Sequence, residues 1–202
     1  MPVFFQTTIN ESTRLGIWKI EEPEEYFKRN VPLHRDVTHP HKRLQHLAGR
    51  FLLQFLFPDF PYELIRIADT RKPFLPGEQY HFSISHCGDY AAAIVSRVNR
   101  VGVDVENVRP LVGELIPKFL SESEKTLLVK GKILEQSTLC WSAKEAVYKW
   151  YGTGSVDFRE HIQLQKIDAE NQTIECHFTK TGQHLLIRYA EFDSLVLAWV
   201  VS

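Results

Sequence analysis

From Lys42 to Phe57 the apolar residues Leu44, Leu47, Ala48, Phe51, Leu52, Phe55 and Leu56 recur at spacings of three and four. That spacing predicts one helix with a single apolar stripe, stopped by Pro58. Arg43, His46 and Arg50 fall off the stripe. The period then changes. "YHFSISHC" and "YAAAIVS", separated by the turn signal Gly88-Asp89, predict a hairpin. "GVDVENVRP", residues 102–110, alternates Val103 and Val105 with Asp104 and Glu106, so a strand here places both carboxylates on one face. In "SESE", Ser121 and Glu124 have the spacing of a reciprocal capping box, which predicts a second helix starting at Ser121. A third is predicted from about Glu135 to Tyr151, with Gly152 as its stop. Ala143, Ala146, Val147 and Trp150 form one face of it, and Trp141, Glu145 and Lys149 form another. "IQLQKI", "QTIECHFT", "HLLIRYAEF" and "SLVLAWVVS" predict antiparallel strands.

The resulting class is α+β. "DYAAAIVS" at 89–96 is echoed by "DSLVLAWVVS" at 193–202. Each ends a half that holds a long helix and strands, so the expected division is into subdomains 1–100 and 101–202. No Gly-, Pro- or Ser-rich linker separates them, and a site at their seam is expected.

At 202 residues and 44% hydrophobic composition the chain can bury a substantial core. Its net charge of -1, from 24 basic and 25 acidic residues, gives no bulk attraction to nucleic acid or to an anionic membrane, so any anion site has to be built locally. Cys87, Cys140 and Cys176 are odd in number and far apart, which argues against a disulfide framework or a zinc knuckle. The N-terminal stretch "MPVFFQTTINESTR" lacks the basic start and apolar core of a signal peptide, and "LVLAWVV" is too short to span a bilayer. A soluble, cytoplasmic protein is expected.

Same-face neighbours on a strand lie about 6.6–6.8 Å apart. Two carboxylates that close repel each other unless a cation or a proton intervenes, so Asp104 and Glu106 suggest a hard cation, Mg²⁺ or Mn²⁺. The plain alternative is a solvated strand edge. Glu145 and Lys149, one helical turn apart among aromatic residues, add a third carboxylate and a cation suited to a metal–phosphate site; the alternative there is a surface ion pair. Lys72 lies in the extended "TRKPFL", and Ser85 and His86 lie where a strand meets a Gly turn; both are usual places for ligand contacts. The histidines His34, His39, His41 and His46 precede or enter the first helix without an accompanying Cys or carboxylate cluster. They read as its lead-in rather than as a transition-metal site.

Taken in order, "KPF", "FSISHCGDYAAAIVS", "VGVDVE" and "WSAKEAVYK" resemble the successive signatures of the 4'-phosphopantetheinyl transferases. The closest likeness is to the larger single-chain type that activates nonribosomal peptide and polyketide synthases. The resemblance implies two similar α+β subdomains related by a pseudo-twofold axis, with coenzyme A in the cleft between them. It implies magnesium held by Asp104, Glu106 and Glu145, with Glu145 also the base for the attacking hydroxyl, directly or through a metal-bound water, and Lys149 on the pyrophosphate side. Lys72, Ser85 and His86 match positions that hold coenzyme A. Arg43 and Arg50 match the basic residues of the first helix that serve the 3'-phosphate, in a register that varies; His41 is an alternative to Arg43. Cys87 stands where the family usually has a small or polar residue. The implied reaction moves 4'-phosphopantetheine from coenzyme A to a serine of an acyl or peptidyl carrier protein and releases adenosine 3',5'-bisphosphate. A monomer is expected. Residues 109–120, "RPLVGELIPKFL", with Arg109 and Lys118, are the expected docking surface for an acidic carrier.

Two other readings use the same residues. One is a different Mg-dependent phosphoryl-transfer enzyme or nuclease; no basic stripe interleaved with aromatics supports nucleic-acid binding. The other is a carrier-binding module without catalysis, which would have no need of three carboxylates and Lys149.

Overall fold

The computed structural model describes residues 3–31, 37–70 and 72–202, and leaves undescribed the side chains of 111–114. Chain contacts divide it into two compact units, Met1–Val101 and Gly102–Ser202.

The N-terminal unit comprises β1 (Val3–Asn10), β2 (Thr13–Lys19), α1 (Glu24–Lys28), α2 (Pro40–Leu56), the two-residue ribbon β3 (Arg66–Ile67) and β4 (Pro73–Phe74), β5 (His81–Cys87) and β6 (Tyr90–Ser96). Its main sheet has the order β1-β2-β6-β5, with β1–β2, β2–β6 and β5–β6 each paired antiparallel. Helix α2 starts two residues before the expected Lys42. Pro40 opens it and the His39 ring accepts from the Lys42 amide, a cap that an apolar count cannot show. Its buried Leu47, Leu52, Leu53 and Leu56 cluster with Trp18, Ala91, Ala93, Val95 and Phe82 of the sheet. Each such leucine contributes roughly 1.5–3 kcal/mol of burial. The helix sits close because its floor is small: a Cβ on Gly49 would stand 2.6 Å from Ile84 Cγ2, and alanines line β6.

The C-terminal unit comprises β7 (Val101–Asn107, beginning at the division), α3 (Pro110–Phe119), α4 (Glu122–Lys125), α5 (Ile133–Tyr151), β8 (Ile162–Asp168), β9 (Thr173–Phe178), β10 (Gln183–Phe192) and β11 (Leu195–Val201). The sheet order is β7-β11-β10-β9-β8. In each unit the strand preceding the long helix lies beside the unit's last strand, β2 with β6 and β7 with β11. The echoed segments "YAAAIVS" and "LVLAWVV" thus hold equivalent places.

The Ser121–Glu124 capping box forms as predicted, yet α4 lasts a single turn. Glu124 is drawn inward instead. One oxygen takes the Ser121 amide and hydroxyl; the other takes the Leu164 amide and Lys144 Nζ at 2.5 Å. Lys144 is fully buried and also donates to the Phe158 carbonyl. Within residues 109–120, expected from sequence to be the carrier docking surface, residues 110–119 form a helix that carries Pro117 inside it. Phe119 and Leu120 enter the core, with Phe119 edge-on to Trp141.

Candidate active site

Strand β7 is not a solvated edge. Asp104 is 3% exposed, and Val101, Val103 and Val105 are buried as well. The reason is Gly102. A Cβ there would lie 2.0 Å from the Ala146 carbonyl oxygen and 2.6 Å from the Trp150 amide, so α5 rests directly on the face that Gly102 shares with Asp104 and Glu106. Two more contacts fix the register. Ser142 Oγ donates to the Asp104 carbonyl, and Lys149 Nζ lies 2.6 Å from Asp104 Oδ1. Ser142 and Lys149 are two turns apart on α5, so the helix holds one residue of β7 from both sides.

Glu145 lies between them on α5, and its carboxyl is pushed up to about 7. Burial is the largest cause; repulsion from Asp104 and Glu106 adds to it and Lys149 opposes it. Glu106 is raised for the same reasons, burial first and Asp104 second, with Arg109 and Lys149 pulling it down. Its carboxylate is 3.4 Å from Arg109. The strand pairing and the helix face foreseen from sequence therefore meet in one electrostatically coupled group of Asp104, Glu106, Glu145 and Lys149. Among the described residues, no three His, Cys, Asp or Glu side chains are already gathered to hold a metal ion. Lys149 stands on Asp104 in the present arrangement. The donor chemistry, the buried Asp104 carboxylate with Glu106 and Glu145 partly buried beside it, is that of a hard divalent cation.

The raised Glu145 has a consequence for stability. The unfolded chain releases this proton near the ordinary 4.5 and the folded chain near 7. Between these values the folded state binds more protons, so stability falls as pH rises through the window and stays low above it. In chelator, the urea midpoint should drop from pH 5 to pH 8, and Glu145→Gln should flatten that drop. Equal slopes for wild type and variant would show that Glu145 is not strained.

In the N-terminal unit the expected anion-site residues are sorted differently. Ser85 and His86 are neighbours on β5 and therefore point to opposite faces. His86 shares the side of Phe82 and Ile84 that meets α2, whereas Ser85 is on the other side and buried. Arg43 is engaged by Glu24 at 2.8 Å and donates to the Val37 carbonyl. Arg50 is half-buried, with a buried Nη1 that makes no hydrogen bond, and burial lowers its proton affinity. His41 pairs with Asp89 at 3.0 Å. Lys72 is pushed down to about 8 by burial and then by the positive charge of Arg100. Arg71 and His34 lie outside the described residues. Sequence reading passed over Gly102, Ser142 and Arg100, and took His46 only as part of the lead-in to the first helix. Gly102 carried a usable signal, since a glycine inside a strand marks close backbone approach.

The chain is 31% identical over 154 residues to enterobactin synthase component D of Salmonella typhi, a match covering 74% of this chain and 62% of that protein. It is 34% identical over 113 residues to the Escherichia coli (strain K12) protein of the same name, 54% of each. It is 29% identical over 133 residues to 4'-phosphopantetheinyl transferase AcpT of that strain, 61% of this chain and 68% of the relative. The matched stretch thus spans a little over three fifths of the length of the first of these relatives. A model of the 4'-phosphopantetheinyl transferase superfamily matches residues 100–200, the half of the chain that begins just before β7 and holds Asp104, Glu106, Glu145 and Lys149. On that match, the chain belongs to the 4'-phosphopantetheinyl transferase superfamily.

Proposed function

We propose that this chain is a 4'-phosphopantetheinyl transferase that moves phosphopantetheine from coenzyme A to a serine of an acyl or peptidyl carrier protein. The observation that carries the reading is the coupled group under α5: three carboxylates on two elements, with Lys149 among them. Asp104, Glu106 and Glu145 would hold Mg²⁺, which when bound neutralises pyrophosphate charge. Glu145, whose proton affinity is already raised towards neutrality, is placed to accept the serine proton. Lys149 stabilises charge on the departing phosphate. Lys72 and His86 bind the phosphates of coenzyme A. Arg50, with an unsatisfied buried N–H, is the better candidate for the 3'-phosphate than Arg43, which Glu24 already occupies. Arg109, at the N-cap of α3, and Lys118, in its last turn, are both exposed and are the proposed contacts to an acidic carrier.

The test is product release. Adenosine 3',5'-bisphosphate should appear only when coenzyme A, Mg²⁺ and an apo-carrier are all present, and Arg50→Ala should raise KM for coenzyme A more than it lowers kcat. Release without a carrier would favour a different phosphoryl-transfer reaction, and no release at all would favour a binding module.

A further inference from the structure

The packing of α2 on β5 forms a ladder. Gly49 meets Ile84, His46 meets His86, Gln45 Nε2 donates to the Gly88 carbonyl at 2.7 Å, and His41 pairs with Asp89. On the His46–His86 rung the two imidazole centroids are 5.3 Å apart with ring planes at 73°. Both residues are half-buried, and His46 lies one turn before Arg50 on α2. Two imidazoles in edge-to-face contact hold one added charge readily and a second only at a cost in mutual repulsion. Phosphate dianions remove that cost.

We propose that His46 is a second imidazole of the coenzyme A phosphate site, and that the His46–His86 pair takes up a proton when the 3'-phosphate binds. The inference rests on the functional reading above, which places a phosphate at His86. The surrounding charges agree with it. On α2, Lys42 and Arg43 precede His46 and Arg50 follows it. Arg43 is offset by Glu24 of α1, and Asp89 of the β5–β6 turn is engaged by His41. Histidine is the side chain whose ordinary titration range lies close enough to neutral pH for a bound anion to draw a proton onto it.

The experiment is calorimetry of coenzyme A and dephospho-coenzyme A binding at pH 7.5 in buffers of different ionisation enthalpy. A phosphate monoester, with its second pKa about 6, is already dianionic there and supplies no proton of its own. Coenzyme A should take up roughly one proton per site, and dephospho-coenzyme A close to none. His46→Gln should lose most of the uptake and weaken coenzyme A about tenfold, while dephospho-coenzyme A changes by less than about twofold. Binding of coenzyme A to the wild-type protein without proton uptake overturns the inference and leaves the functional reading intact. So does full uptake in folded His46→Gln. Failure of coenzyme A to bind at all overturns the reading and the inference together.

Discussion

Glu145→Gln should lower transfer of phosphopantetheine by about 10²–10⁴-fold, and added Mg²⁺ should not restore it. The substitution keeps the shape of the side chain while removing both its charge and its ability to accept a proton. Asp104→Ala should also be severely impaired, for a different reason. It removes an oxygen donor and the partner of Lys149, so part of its loss should be recovered at high Mg²⁺. Both proteins should stay folded, and removing a charge disfavoured first by burial and then by carboxylate repulsion should make the metal-free Glu145→Gln protein more stable than wild type above pH 7. Rescue of Glu145→Gln by metal would reduce Glu145 to a ligand. Full activity of Asp104→Ala would remove β7 from the chemistry.

Gly102→Ala should be the most damaging single methyl in the C-terminal unit. The new carbon would lie 2.0 Å from a backbone carbonyl oxygen and 2.6 Å from a backbone nitrogen of α5. Neither atom can swing aside as a side chain does, so the helix has to lift from the strand. Overpacking commonly costs about 1–3 kcal/mol, and a clash with helix backbone belongs at or beyond the upper end. The variant should show a markedly lower urea midpoint. At temperatures where it stays folded its activity should still be low, because the lift separates Lys149 and Ser142 from Asp104. An alanine variant with wild-type stability would contradict the close seating of α5. Gly49→Ala is a milder case, since the nearest atom to the new carbon is a side-chain methyl of Ile84 rather than backbone.

Much of this was legible in the sequence because it rests on local periodicity. The stripe of α2, the capping box at Ser121, the stop at Gly152 and the alternation of β7 are each fixed by residues close together in the chain. What was not legible depends on packing between distant segments. Lys144 counts as polar in any pattern, yet it is fully buried because Glu124, twenty positions earlier, turns inward to meet it. Residues 110–119 form a helix although Pro117 argues against one, since Phe119 and Leu120 are anchored in the core. Ser85 and His86 were grouped by adjacency, whereas the two-residue period applied to Asp104 and Glu106 separates them. The choice between Arg43 and Arg50 turns on Glu24, a residue of a one-turn helix that sequence reading did not foresee.

The most direct measurement is the intact mass of an apo-carrier protein after incubation with this chain, coenzyme A and Mg²⁺. The carrier should gain the mass of one phosphopantetheinyl group, located on a serine, with the gain abolished by chelator and reduced to trace levels with Glu145→Gln. An unchanged carrier mass across a panel of acyl and peptidyl carriers, with the protein folded and coenzyme A bound, would contradict the proposed function.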